Sequence, residues 1–169
     1  MNDALNDEFR ISSLDNLERL YGPPNRTSRQ EAPHIKPEFH QFIEKAPFVV
    51  LSTIGPDGLD ASAKGDAGGF VDVIDEKTLL IPERGSHGRN DSLRNIVADP
   101  RVALIFLVPG ISTMLRVCGR AHVSVNPDFL ARFPAKPGLV SSVIVVHVEE
   151  AFLQCARALE KSGLWTSDP

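Results

Sequence analysis

The sequence predicts a mainly β fold: an antiparallel split barrel with short helices at its margins. Three observations point there. Apolar, β-branched runs joined by tight turn signals recur along the chain, only short helical stretches separate them, and 169 residues with 42% hydrophobic content suit one domain with a sizeable core. A doubly wound parallel sheet would need a helix after most strands, and this chain does not supply them.

The elements follow in order. Over residues 12–21, Ser12 and Ser13 are placed to cap a helix whose apolar positions are Leu14, Leu17, Leu20 and Tyr21, and Gly22-Pro23-Pro24 stops it. The polar, proline-containing stretch 25–37 reads as an extended connection to a second helix over 38–45, ended by Pro47. Residues 1–46 are thus expected as a helical and extended segment packed on a barrel spanning 47–169, within a single domain overall. Residues 48–54 form a nearly continuous apolar run, Gly55-Pro56-Asp57-Gly58 makes a turn, and 59–64 return as the second strand of a hairpin. Ala61, Ser62 and Ala63 leave room for close approach to that backbone. A second hairpin pairs 70–74 with 78–82.

A helix over 91–98 buries Leu93, Ile96 and Val97 and ends at Asp99-Pro100. Strands over 101–108 and 114–125 flank Pro109-Gly110, then come a short helix over 127–133 and an apolar strand over 140–148. The final helix is expected over 149–162, with Phe152, Leu153, Ala156 and Leu159 on one side.

Composition narrows the function. A formal charge of -4 and a pI near 5.7 argue against a nucleic-acid binder, which usually presents a basic face. The two cysteines, Cys118 in a strand and Cys155 in the final helix, lack metal-ligand spacing and suit a reducing compartment. With an acidic, polar start and no apolar run of the ~20 residues that a membrane span needs, the chain reads as cytoplasmic. No Gly-x-Ser-x-Gly elbow, His-Glu-x-x-His helix or Walker loop occurs, so neither nucleophilic nor metal-assisted catalysis is expected. His34, His40, His122 and His147 read as surface or core histidines, and His87 alone sits in a basic loop.

That loop carries the chemistry. From Glu83 to Asn95, Arg84, Arg89 and Arg94 surround Ser92 at the start of a helix whose free N–H groups point the same way, so guanidinium, hydroxyl and backbone can together hold a phosphate. The same residues admit a plainer reading, in which Asn90 or Asp91 caps the helix and the arginines stand in water. A second grouping, Ser62-Ala63-Lys64-Gly65-Asp66 before Gly68-Gly69, gathers a lysine, a hydroxyl and exposed backbone at a strand end, although Lys64 and Asp66 can also simply pair at the surface.

Together these segments resemble a known family. Ser62-Ala63-Lys64-Gly65-Asp66 with Gly69-Phe70-Val71, Leu79-Leu80-Ile81-Pro82-Glu83-Arg84, Arg89-Asn90-Asp91-Ser92-Leu93-Arg94-Asn95-Ile96, Asp99-Pro100-Arg101-Val102 and Leu115-Arg116-Val117-Cys118-Gly119-Arg120-Ala121 are similar, in that order, to the pyridoxamine 5'-phosphate oxidase-like superfamily of FMN-binding split barrels, and more narrowly to its branch of FMN-dependent enzymes. The likeness runs from about residue 48 to Trp165. It implies a homodimer with FMN at the subunit interface and an oxidoreductase acting on a small molecule, with no metal, nucleic acid or membrane partner. It places Ser62 and Lys64 beside the flavin, Ile81 and Pro82 along its ring or ribityl chain, and Arg89 with Ser92 on the phosphate. Arg84, Asp91 and Asn95 are implied as second contributors, and Trp165 either lies near the isoalloxazine or belongs to the core.

The chain departs from the pattern at Ser86-His87-Gly88, at Ala63, and at Gln154 and Arg157. It also lacks the C-terminal arginine and histidine set of a true pyridoxamine phosphate oxidase, so that specific reaction is not expected. The deazaflavin F420 in place of FMN, and a non-enzymatic flavin- or haem-binding barrel, are the alternatives.

Overall fold

Seven strands, every pair antiparallel, form one sheet among the residues described by the computed structural model, which are 9–24, 31–85, 90–133, 140–155 and 157–165. In chain order the elements are α1 (Leu14–Tyr21), α2 (Pro37–Lys45), β1 (Phe48–Gly55), β2 (Gly58–Gly65), β3 (Asp72–Asp75), β4 (Thr78–Glu83), α3 (Asp91–Ala98), β5 (Arg101–Leu107), β6 (Thr113–Ser124), α4 (Pro127–Leu130), β7 (Ser142–Cys155) and α5 (Arg157–Ser162). The chain divides into two compact units, Met1–Gln30 and Glu31–Pro169. In the first, Ser13 caps α1 by accepting from the Asn16 backbone N–H at 3.2 Å, and Gly22 ends it at a φ of 77°.

In the second unit the strand order is β2-β1-β5-β6-β7-β4-β3. The hairpins expected from the turn signals are present, with Gly55 opposite Gly58 in the first and Asp75 opposite Thr78 in the second. Alternate residues of β1, β5 and β6 point inward, among them Val49, Leu51, Leu104, Phe106, Leu115 and Val117, each at most 1% exposed. Phe39, Phe42 and Ile43 of α2 join this core. β4 is buried on both faces: Leu79 and Ile81 enter the main core, while Leu80 packs with Val143 and Val145 of β7 in a smaller cluster.

The two ends of the sheet curl toward each other. Lys64 near the end of β2 pairs with Glu83 at the end of β4, and Asp66 just after β2 meets Arg84 just after β4 at 3.2 Å. β2 and β4 are far apart in the strand order, so these two ion pairs span a seam that no ladder of backbone hydrogen bonds closes. That is the geometry of a split barrel.

The largest departure from the sequence reading concerns residues 149–155, expected as the start of a helix and found as the second half of β7. The reason is pairing. β6 is 12 residues long, and on its edge away from β5 its first six residues pair with residues 150–155. The apolar run Ala151-Phe152-Leu153 is too short for periodicity to separate strand from helix. Cys155 is therefore an exposed strand residue, and α5 is reduced to Arg157–Ser162. A bulge absorbs Glu149, because Cys118 faces Glu150 while Gly119 faces Val148. At the bulge a Cβ on Gly119 would lie 2.0 Å from the His147 carbonyl oxygen, so glycine is required there.

Smaller differences have local causes. β3 begins at Asp72 rather than at 70, α4 spans only Pro127–Leu130, and Val97 of α3, expected to be buried, is exposed. Pro82 fits inside β4 because β3 pairs no further than Leu80, so no neighbour on that side needs its missing N–H.

Candidate functional site

Strand alternation builds one wall of the site. Asp60, Ser62 and Lys64 of β2 share a face and are half-buried, while Leu59, Ala61 and Ala63 on the other face are exposed. α3 packs against β1, β2 and β6 through Ile96 and Leu93, which sets the beginning of the helix beside that wall. The buried Ser92 donates from its hydroxyl to Asp60 Oδ2 at 3.2 Å, and Asn95 Nδ2 donates to Thr53 Oγ1 of β1 at 3.0 Å. Asn90 occupies the N-cap of α3, but its side chain makes no capping hydrogen bond. The plain helix cap read from the sequence is thus not provided by Asn90.

Between β2, the end of β4 and the start of α3 lies a cavity of about 510 Å³. Ser62, Lys64, Asp91 and Ser92 line it together, drawn from segments up to thirty residues apart, and Asp60 and Glu83 are their acidic neighbours. Lys64 and Glu83 are mutually satisfied, with only 18% and 10% of their side chains exposed. Arg84 opens instead on a second cavity, about 520 Å³, that it shares with Asp66, Gly69, Phe70 and Arg132. There Arg132 donates from Nε to Asp72, and this bond holds the guanidinium above its ordinary pKa.

The other expected residues fall elsewhere. Asn95 borders a third cavity of about 340 Å³, with Arg94 and Gly58. Ile81 has no exposed surface and Pro82 is buried, and neither lines any of these cavities. Trp165 is half-buried beyond the three cavities, and its indole N–H is buried without a hydrogen-bond partner among the described residues. Arg89 lies outside the described residues. Asp60 was not among the expected site residues, yet its place two residues before Ser62 on one strand already put it on the same face.

Comparison with known proteins bears on what such a seam is for. A family model described as pyridoxamine 5'-phosphate oxidase matches residues 35–155. The chain belongs to this family. Among solved structures, HupZ of Group A Streptococcus superposes with a TM-score of 0.60 at 18% identity, over 72% of this chain and 95% of that one. A candidate pyridoxamine 5'-phosphate oxidase from Lactobacillus delbrueckii does so with a TM-score of 0.58 at 23% identity, over 73% and 98%. The protein DIP1874 of Corynebacterium diphtheriae follows with a TM-score of 0.50 at 12% identity, over 73% and 98%. At these identities the shared property is the fold. No curated protein matches the chain.

The family match takes in α2 and all seven strands, so the cavity between β2, β4 and α3 lies wholly inside the family region. Among the described residues no group of three or more His, Cys, Asp or Glu is arranged to hold a metal ion. Nor is any described helix long and apolar enough to cross a membrane.

Proposed function

We propose that this member of the pyridoxamine 5'-phosphate oxidase family binds FMN at the seam and works as a homodimeric FMN-dependent oxidoreductase on a small molecule. One observation carries the reading: Ser62, Lys64 and Ser92 converge with the start of α3 on a single cavity of about 510 Å³, room enough for a flavin nucleotide's polar end. The donor set suits a phosphate and a ribityl chain. Two hydroxyls, an ammonium and helix amides can all donate, and Arg89, two positions before Asp91 in the sequence, would add a guanidinium.

Within that reading each group has a task. Ser92 and Arg89 hold the phosphate, with Asp91 at the helix start. Ser62 and Lys64 orient the flavin along β2, Ile81 and Pro82 hold the end of β4 behind the cavity, and Arg84 borders the space beyond. Asn95 serves by bracing α3 on Thr53, and Trp165 is a contributor from the C-terminal end. When bound, FMN would supply hydride or electron-pair transfer, so no side chain need act as nucleophile.

The outer face of β2, β1 and β5 favours a second subunit. Leu59 is 84% exposed there, beside exposed Ala61 and Ala63 and half-exposed Val50 and Ile105. The purified protein, titrated side by side with FMN and F420, should quench FMN fluorescence at one flavin per subunit and sediment as a dimer. Joint replacement Arg89→Ala and Ser92→Ala should abolish the quenching. Protein that leaves FMN fluorescence unchanged overturns the proposal.

A further inference from the structure

We propose that Asp60 determines how strongly the cavity prefers a phosphorylated flavin over an unphosphorylated one, an inference that rests on the flavin reading above. The carboxylate of Asp60 holds the hydroxyl that a phosphate would need. Ser92 Oγ lies 3.2 Å from Asp60 Oδ2, and at 6% exposure Ser92 has little access to water as another acceptor. A serine hydroxyl has one proton and an ionised carboxylate only accepts, so donation to Asp60 and donation to a phosphate exclude each other.

The surroundings make the competition costly for an anion. Asp60, Glu83 and Asp91 all line the cavity, and Lys64 is the cation that lines it among the described residues. The Lys64 ammonium is already paired with Glu83. Among the described residues Asp60 forms no ion pair, and the Ser92 hydroxyl is the donor that faces its carboxylate. A phosphate reaching Ser92 has to displace this carboxylate and then sit next to it. Riboflavin, which has the same ring and ribityl chain but no phosphate, meets neither obstacle.

Asp60→Asn removes the charge while keeping the size, and its amide can donate to a phosphate. The dissociation constants of FMN and riboflavin should be measured by fluorescence quenching at one fixed ionic strength, because screening weakens the effect. In the variant, FMN binding should tighten about tenfold or more, as removal of a like charge at close range predicts. Riboflavin binding should stay within about twofold.

FMN affinity that is unchanged or weaker, or equal shifts for the two flavins, overturns the inference and makes Asp60 a brace for Ser92. Wild-type protein that binds neither flavin overturns the flavin reading itself, which separates the two failures. If Asp60→Asn does not fold, Asp60→Ser carries the same expectation.

Discussion

The spine of the barrel, β5 with β6 and β7, and the seam, where β2 meets β4 and α3, follow opposite rules. In the spine, inward residues such as Leu104, Phe106, Leu115 and Val117 are at most 1% exposed, and the long ladder of β6 on β7 satisfies the backbone. In the seam, side chains make the contacts that a ladder would otherwise make: Lys64 with Glu83, Arg84 with Asp66, Ser92 with Asp60. The spine buys stability from apolar burial, while the seam holds polar groups close together in a cavity that the backbone leaves open. Changes in the spine should therefore act on folding alone, and changes in the seam on binding and, where a covered charge loses its partner, on stability as well.

The largest expected effect tests the spine. Gly119→Ala places a Cβ 2.0 Å from the His147 carbonyl oxygen, a backbone atom that cannot turn aside. The bulge has to open or the β6–β7 ladder has to shift, a loss on the order of 3 kcal/mol or more. Urea unfolding should show it as a lower midpoint. The fraction still folded should bind FMN within about twofold of wild type, and a comparable loss of affinity would mean that spine and seam are not separable.

Glu83→Gln tests the seam. It leaves the Lys64 ammonium without its partner in a place where most of its side chain is covered, at an expected cost of about 1–3 kcal/mol. Adding Lys64→Met should restore part of that loss, because the stranded charge is then gone. A double-mutant cycle reads the coupling directly. Additive losses would show that the pair contributes nothing as a pair.

What the sequence revealed differs between the two regions for a physical reason. Strand identity and hairpins follow from local signals, and Gly55-Pro56-Asp57-Gly58 marks its turn without help from distant residues. The end of β7 does not. Residues 150–155 are strand because the edge of residues 113–118 that faces away from β5 needs a partner, a demand made from elsewhere in the chain. The seam shows the same division: Ser62, Lys64, Asp91 and Ser92 stood out as residues and do meet in one cavity, whereas the pairing of Lys64 with Glu83 rather than with Asp66 depends on how the sheet curls. Likewise Ile81 could be named from its motif, but only the double-sided burial of β4 shows that its side chain is spoken for by the core.

The smallest effect concerns the joint between the regions. Asp99 ends α3, the helix of the seam, and Arg101 begins β5, the first strand of the spine. The hydrogen bond from the Arg101 side chain, then that from its backbone N–H, lowers the Asp99 pKa to about 2. A carboxylate with a depressed folded-state pKa stabilises the fold fully above its ordinary value near 4, and that contribution fades as pH falls toward 2. Asp99→Asn should therefore narrow its stability gap from wild type as pH falls from about 4 to about 2, with a small and constant gap above that window. The Arg101 side of the pair is largely open to water, so the effect should be modest and should shrink with added salt. FMN affinity should not change, because the joint touches neither Ser92 nor Lys64; a shift in affinity would mean that this exposed pair sets the angle of α3 and so reaches into the seam.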